Sequence, residues 1–371
     1  MKLILYIGHH KVGSTSLQAF LAQNAQALNA NGILYPMVDP RGLIHMLRQS
    51  IGTKDKPGLL PPHLREPHSA LAYRMIEAVS RRGLPQQFAQ MPALSDMRST
   101  IATQIERLSP HTVILCSEVF STFGDVNEAL IEQLLALVPD VTQIQIYGVL
   151  RRPDQYLVSW HGQRLKVGEQ LVPFDEAVAG YAGTVHLDYT RVLRGWMARC
   201  ADARITLRNY ADVMETGNSV RDFRKHADVA WPANLTPPPR INLSLPLPLM
   251  EIARRGNHML ASQDALQLRN FLMQGCGEMA LTPNAQVDML GAAARADLLA
   301  RFMPVQVYLS QVSGRDAFFP NLEEIANCPP VTQDEAVRGA LAQLGPDGFG
   351  GDLSNPIRVF LETLRKEYGL V

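Results

Sequence analysis

The chain of 371 residues is long enough to bury a substantial core, as one large domain or as one domain with an appended lobe. Its 35 basic and 35 acidic side chains cancel, which excludes an overall field that attracts nucleic acid or a membrane surface. Few apolar residues precede Gly8, so we expect no transmembrane segment there. The four cysteines lack C-x-x-C spacing, so we expect no zinc site and reduced thiols in the cytoplasm.

The first predicted elements are an apolar strand, a loop bounded by Gly8 and Gly13, and an amphipathic helix. Gly8, Gly13 and Thr15 match the nucleotide-binding pattern G-x-x-x-x-G-K-S/T, but Ser14 occupies the lysine position and the lysine comes earlier, as Lys11. Because the first N–H groups of a helix lack partners and the helix dipole is positive there, the loop predicts a phosphate site. Lys11 then suits a bridging or leaving oxygen beside a 5′-phosphate better than a γ-phosphate. The alternative is an ordinary strand-to-helix turn with two glycines.

The next part of the chain, residues 39–92, is rich in proline and glycine and is predicted to be an irregular insertion that forms one wall of an acceptor pocket. It contains a predicted helix at 70–79, and a second helix is predicted at 97–108. Residues 112–116 form a continuous apolar run, typical of a buried parallel strand, and Glu118 follows the end of that run.

Strands and helices then alternate. The pattern predicts helix 129–138, strand 144–150, helix 155–166, helix 189–200 and strand 204–208. This alternation predicts an α/β fold with a central parallel sheet flanked by helices, whose ligands bind at the carboxyl ends of the strands. Residues 1–250 are predicted to form the α/β domain, and residues 251–371 a helical C-terminal region packed on it.

A second motif follows the predicted strand 144–150. Arg151-Arg152-Pro153 leaves this strand, and Ser159 comes eight residues after Arg151 in the next helix. Proline suits the first helical turn, and a guanidinium with a hydroxyl can hold one phosphate. The alternative is that one of the two arginines pairs with a carboxylate at the sheet edge.

The two motifs resemble those of sulfotransferases that use 3′-phosphoadenosine 5′-phosphosulfate (PAPS). The family's first motif, P-x-K-x-G-T-T on a strand, loop and helix, is matched by residues 9–15. The second, R-x-P at a strand end with a serine eight residues after the arginine, is matched by Arg151, Pro153 and Ser159. The resemblance covers about residues 1–250. It implies a P-loop NTPase-like fold and metal-independent transfer of a sulfuryl group to a hydroxyl or amine of an acceptor. A small molecule, a glycan, a glycolipid and a peptide all stay open as that acceptor.

The resemblance also implies roles for individual residues. Lys11 would contact the phosphosulfate bridge and stabilise charge on the departing phosphate. Arg151 and Ser159 would hold the 3′-phosphate. The cradle of the 5′-phosphate would comprise Val12, Gly13, Ser14, Thr15 and Ser16.

The acceptor hydroxyl needs a base, and family members use a histidine or a glutamate. Glu118 follows a matching strand end, and we expect partial burial to raise its pKa toward neutrality. His10, His45 and His161 are the competing candidates. The alternative for Glu118 is a helix-capping or arginine-paired carboxylate.

Two other functions stay open at this point. A P-loop-type kinase or nucleotide hydrolase predicts a lysine at position 14 and a metal-binding aspartate after a strand, whereas the chain has Ser14 and Glu118 there. A non-catalytic nucleotide-binding protein would keep the loop without turnover.

Overall fold

The structure is a computed structural model that describes residues 1–50, 61–80, 83–237, 244–275, 277, 279–344 and 353–371. The chain divides into two compact units, neither of which is continuous in sequence. The first unit comprises Met1–Arg152, Asp188–Ile241 and Val305–Phe319, and the second comprises Pro153–Leu187, Asn242–Pro304 and Pro320–Val371. Residues 153–187, which the sequence assigned to the first domain, therefore group with the C-terminal segments.

A parallel five-stranded sheet forms the centre of the first unit within the described residues, in the order β2-β3-β1-β4-β5. Its strands are β1 (Lys2–Tyr6), β2 (Ile33–Leu34), β3 (Thr112–Cys116), β4 (Gln143–Leu150) and β5 (Arg204–Asn209). Tyr6, the last residue of β1, aligns with Cys116, the last residue of β3, and with Tyr147 of β4, which continues to Leu150. The predicted α/β class and central parallel sheet are confirmed.

The strand order places a topological switch point at β1. From β1 the chain leads toward β2 on one side, whereas the neighbouring β4 leads to β5 on the other side. Adjacent strands whose connections diverge leave a crevice at their carboxyl ends, which is where open α/β sheets bind ligands. The loop after β1 lies at that crevice.

Helices account for most of the remaining described chain. In chain order they are α1 (Ser14–Gln23), α2 (Ala25–Asn29), α3 (Pro40–Ser50), α4 (Pro62–Arg65), α5 (Pro67–Val79), α6 (Leu94–Leu108), α7 (Phe123–Val126), α8 (Ala129–Leu135), α9 (Pro153–Lys166), α10 (Phe174–Tyr181), α11 (Thr190–Arg199), α12 (Tyr210–Glu215), α13 (Ser219–His226), α14 (Leu247–Met259), α15 (Ser262–Gly275), α16 (Gly291–Ser313), α17 (Gln333–Gln343) and α18 (Asn355–Glu367). The predicted insertion 39–92 thus contains α3, α4 and α5, and part of it lies outside the described residues.

One face of the sheet packs against α1 and α13. Side chains alternate along a strand, so every second residue of β1, β3 and β4 points to this face. The fully or almost fully buried cluster there includes Ile4, Tyr6, Val12, Leu17, Phe20, Leu21, Ile114, Cys116, Tyr147, Val149 and Phe223. Burial of these side chains fixes α1, and with it the loop that precedes α1, against the sheet.

The amphipathic helix predicted after the first loop is interrupted, although Leu17, Phe20, Leu21 and Leu28 recur near helical spacing. It divides into α1 and α2 at the buried Asn24. The Asn24 amide donates to the carbonyls of Phe20 and Thr236, and its oxygen accepts from the Thr236 N–H. Asparagine side chains that bond to the backbone in this way compete with helical hydrogen bonds.

The second unit is mostly helical. It contains α9, α10, α14, α15, α17, α18 and most of α16, with a small parallel sheet of β6 (Val287–Asp288) and β7 (Val331–Thr332). The predicted helical character of the C-terminal region is confirmed for the described residues. Across the ranges given above, no helix has the length and apolar composition needed to cross a membrane.

Candidate functional site

The β1–α1 loop (residues 7–13) continues the pairing of β1 with β4 beyond the end of the strand. The Ile7 N–H donates to the Tyr147 carbonyl at 3.0 Å, and the His9 N–H donates to the Val149 carbonyl at 2.9 Å. A Cβ at Gly8 would lie 2.8 Å from both the Val149 nitrogen and the Tyr6 hydroxyl. Glycine is therefore required at position 8 for this close approach.

The far end of the loop turns sharply into α1. Lys11 and Gly13 both adopt left-handed backbone conformations, with φ of 62° and 88°. In the part of the chain that the structure describes, no side chain caps the N-terminus of α1. A turn of this kind followed by an uncapped helix start presents backbone N–H groups and a positive helix dipole to an anion.

The other predicted members of the phosphate cradle lie in or beside this turn. Val12 is fully buried in the core and anchors the loop. Ser14 is also buried, and its hydroxyl bonds to Glu118. Thr15 and Ser16 are half-buried in the first turn of α1.

Glu118 reaches the loop from the end of β3. It begins a short 3₁₀ helix (Glu118–Thr122), which Ser117 caps by accepting from the Val119 N–H. Its carboxylate accepts from the Gln18 amide at 3.0 Å and lies 3.6 Å from Nδ1 of His10. The structure therefore brings the end of β3 and the β1–α1 loop together.

The expected rise in the pKa of Glu118 is wrong. Burial by itself raises the pKa of this carboxyl, but the hydrogen bonds from His10 and Ser14 and the charge of His10 outweigh it, so the pKa lies below its ordinary value. Glu118 is consequently ionised at neutral pH.

A buried polar network that sequence reasoning missed supports Glu118. The Ser69 hydroxyl donates to the Gln18 carbonyl oxygen at 3.3 Å and lies 3.0 Å from the Ser117 hydroxyl. This network links α1, α5 and the end of β3. A signal for Gln18 exists in the sequence, because it follows Ser14 by four residues and precedes Leu21 by three, which puts all three on one face of α1.

Glu66 is a second carboxylate that sequence reasoning missed. It is the residue before α5, its side chain is 16% exposed, and it pairs with Arg65 at 3.4 Å. Burial and the negative charge of Glu118 raise the pKa of Glu66 to about 7, against the opposing effect of Arg65. A carboxyl that titrates near neutrality can both accept and donate a proton under physiological conditions.

Arg151 follows β4 directly beside the β1–α1 loop. Its N–H lies 3.5 Å from Nδ1 of His9, and its carbonyl accepts from the Tyr189 hydroxyl at 2.8 Å. The guanidinium carbon lies 5.0 Å from the centre of the Tyr210 ring, a cation–π contact. Ser159 is half-buried on α9, in the second unit.

The three histidines that compete with Glu118 differ in their surroundings. His10 adjoins Glu118, as described above. His45 lies in α3 of the first unit. His161 lies in the second unit, where Nδ1 is 3.1 Å from the Tyr181 hydroxyl and burial lowers the pKa of the ring to about 4.

No protein-family model, curated protein or solved structure matches this chain. The residues around the β1–α1 loop are therefore the basis on which a function can be assigned.

Proposed function

We propose that the protein is a sulfotransferase that moves a sulfuryl group from PAPS to a hydroxyl or amine of a small-molecule or glycan acceptor. The observation that carries this proposal is the position of Lys11. It occupies the left-handed turn of the β1–α1 loop, ahead of Gly13, whereas a nucleoside-triphosphate grip has its lysine at the helix start. That start is Ser14, whose hydroxyl bonds to Glu118.

The donor groups at the site fit a ligand with two phosphates. The uncapped start of α1 suits the 5′-phosphate, with the N–H groups of residues 12–16 and the hydroxyls of Thr15 and Ser16 as its partners. Arg151, beside the loop, suits the 3′-phosphate. The role of Ser159 stays a prediction of the resemblance. The switch-point position of the loop also supports a P-loop NTPase-like fold.

When bound, PAPS supplies a sulfuryl group whose bond to the 5′-phosphate is the one that breaks. The chain's part is then positioning and electrostatics. Lys11 and the start of α1 stabilise the negative charge that the 5′-phosphate gains. The buried bonds of Glu118 to His10, Ser14 and Gln18 hold the loop in place. No side chain has to form a covalent bond to the sulfuryl group during the transfer. We also propose that the reaction takes place in the cytoplasm.

Calorimetric titration tests this proposal directly. The ligands are 3′-phosphoadenosine 5′-phosphate (PAP), which is the desulfated product of PAPS, and adenosine triphosphate with magnesium. We expect PAP to bind with a Kd of about 1 μM without metal, and the triphosphate to bind at least about tenfold more weakly. A preference for the magnesium nucleotide would contradict the proposal and favour a kinase or nucleotide hydrolase. PAP binding without transfer to any acceptor or to water would favour a non-catalytic nucleotide-binding protein.

The role of Arg151 can be separated from general loss of affinity. We expect Arg151→Ala to weaken PAP binding by about 10–100-fold and to change the binding of adenosine 5′-phosphate by less than about threefold, because the second ligand lacks a 3′-phosphate. Arg152→Ala is the matched control, and it should affect the two ligands alike. Equal losses for both ligands in Arg151→Ala would exclude a 3′-phosphate contact.

A further inference from the structure

One carboxylate, Glu118, adjoins the β1–α1 loop, and a second, Glu66, lies one helical turn before Ser69, which bonds to the network around Glu118. Glu118 starts the 3₁₀ helix after β3, and Glu66 immediately precedes α5. The first turn of α5 is fixed to the site because the Ser69 hydroxyl bonds to Gln18 and Ser117. The negative charge of Glu118 disfavours ionisation of Glu66.

The two carboxylates have opposite surroundings. Glu118 accepts hydrogen bonds from three side chains of the loop and α1, namely His10, Ser14 and Gln18. Glu66 has the neighbouring Arg65 as its cationic partner among the described residues, and that contact is long at 3.4 Å. When the surroundings of two acids in one site make their pKa values differ in this way, one acid stays ionised and the other exchanges a proton near neutrality.

This inference rests on the proposed sulfuryl transfer. We propose that Glu66 takes the proton of the acceptor and that Glu118 is a positioning residue, which holds the β1–α1 loop through His10, Ser14 and Gln18. In the balanced step, the acceptor oxygen forms a bond to sulfur, and the bond between sulfur and the 5′-phosphate oxygen breaks. Its electron pair goes to that phosphate oxygen, and the acceptor's proton goes to a carboxylate oxygen of Glu66. No metal or further reactant is needed for the balance.

The assignment has a definite dependence on pH. The titratable groups that act electrostatically with Glu66 in the described chain are Arg65, Glu118, Tyr35 and Tyr73. Both tyrosine pKa values are raised by burial, so these two side chains stay neutral across the working range. Because the pKa of Glu66 is about 7, Glu66 is protonated below that pH and ionised above it, and the rate should rise through neutrality.

The experiment measures sulfate release from PAPS with water as acceptor, from about pH 5 to 9, together with PAP binding. Wild type should show a rate that rises through about pH 7. Glu66→Gln should bind PAP normally, release sulfate about 10²-fold more slowly at pH 8 and lose the rise. Glu118→Gln should keep the rise with its midpoint shifted to lower pH, because the charge that raises the pKa of Glu66 is gone. It should also bind PAP about tenfold more weakly, because the loop has lost its anchor.

Glu77→Gln is the matched control, since Glu77 lies on α5 and pairs with Arg74. It should behave as wild type in both measurements. Loss of the rise in Glu118→Gln with its retention in Glu66→Gln would overturn the assignment and return the base to Glu118. Wild type that binds PAP but shows no pH-dependent release would also overturn it. Failure of wild type to bind PAP would instead reject the proposed function.

The raised pKa of Glu66 also predicts how Glu66→Gln should change the stability of the fold, and urea denaturation can check this. A carboxyl whose pKa is raised in the folded state contributes stability below its unfolded pKa, and this stability is lost as pH rises through the folded value. At pH 8 the ionised Glu66 is therefore unfavourable, and Glu66→Gln should denature in urea at a concentration equal to or higher than that for wild type. A large decrease in that urea concentration would mean that the lost activity reflects unfolding. Glu66→Asp would then replace Glu66→Gln in the rate measurement. We expect Glu66→Asp to keep part of the rise in rate with pH, and complete loss of this rise would overturn the assignment.

Discussion

Replacing Gly13 with alanine is expected to lower the free energy of unfolding by about 2–4 kcal/mol and to weaken PAP binding at least about tenfold. Two independent effects produce this result. The φ of 88° at Gly13 lies in the left-handed region, which costs an L-residue about 1–2 kcal/mol. A Cβ would also lie 2.6 Å from the hydroxyl of Ser219, which donates to the Gly13 carbonyl at 2.9 Å. Urea denaturation and calorimetry measure the two consequences.

Two further variants separate backbone strain from the contact with Ser219. Gly314 has φ of 67°, and within the described chain no atom lies within 4 Å of an added Cβ. Gly314→Ala should therefore cost about 1–2 kcal/mol and leave PAP binding unchanged. The double variant Gly13→Ala/Ser219→Gly should recover part of the lost stability, because Ser219 supplies both atoms that the new Cβ would approach. If Gly13→Ala were no more damaging than Gly314→Ala, the close packing of α13 on the loop would have no role.

Local segments of the fold could be predicted because their patterns are short and self-sufficient. The apolar run 112–116 is β3 with the same bounds, and the run predicted at 144–150 is β4 with one more residue. The loop between Gly8 and Gly13 was recognisable because glycine marks the two positions where a Cβ has no room. These features depend on side-chain size and hydrophobicity within a few residues.

The chemistry around Glu118 could not be predicted in the same way. Its partner Gln18 is 100 residues away in sequence, and Ser69 is 48 residues from Ser117, so no local pattern indicates that they meet. The direction of the pKa shift of Glu118 depends on those partners, because burial and hydrogen bonding act in opposite directions. The pKa of Glu66 shifts in the opposite direction, and for a similar reason it could not be predicted. In the sequence Glu66 is an ordinary acid before a proline at a helix start, and only the tertiary structure brings Glu118 near it.

Removing the charge of Lys11 is expected to slow sulfate release from PAPS by about 10²–10³-fold, while PAP binding weakens by about tenfold. The larger effect falls on the rate because the 5′-phosphate gains negative charge as its bond to sulfur breaks, and a fixed cation is most valuable where charge develops. Since Lys11 has φ of 62°, alanine would keep the backbone strain that lysine already carries there. Lys11→Gly and Lys11→Asn are the better variants, because both residues tolerate this conformation. Single-turnover release and calorimetry provide the measurements.

Lys2→Gln is the matched control for Lys11. Lys2 lies at the opposite end of β1 and pairs with Asp228, so its loss changes the net charge equally without touching the loop. It should leave release and PAP binding unchanged. The Lys11 variants should also unfold at the same urea concentration as wild type or a higher one, because glycine relieves the left-handed strain. A wild-type rate in Lys11→Gly would mean that the start of α1 alone stabilises the leaving phosphate. The lysine ahead of Gly13 would then no longer distinguish this site from an ordinary nucleotide-binding turn.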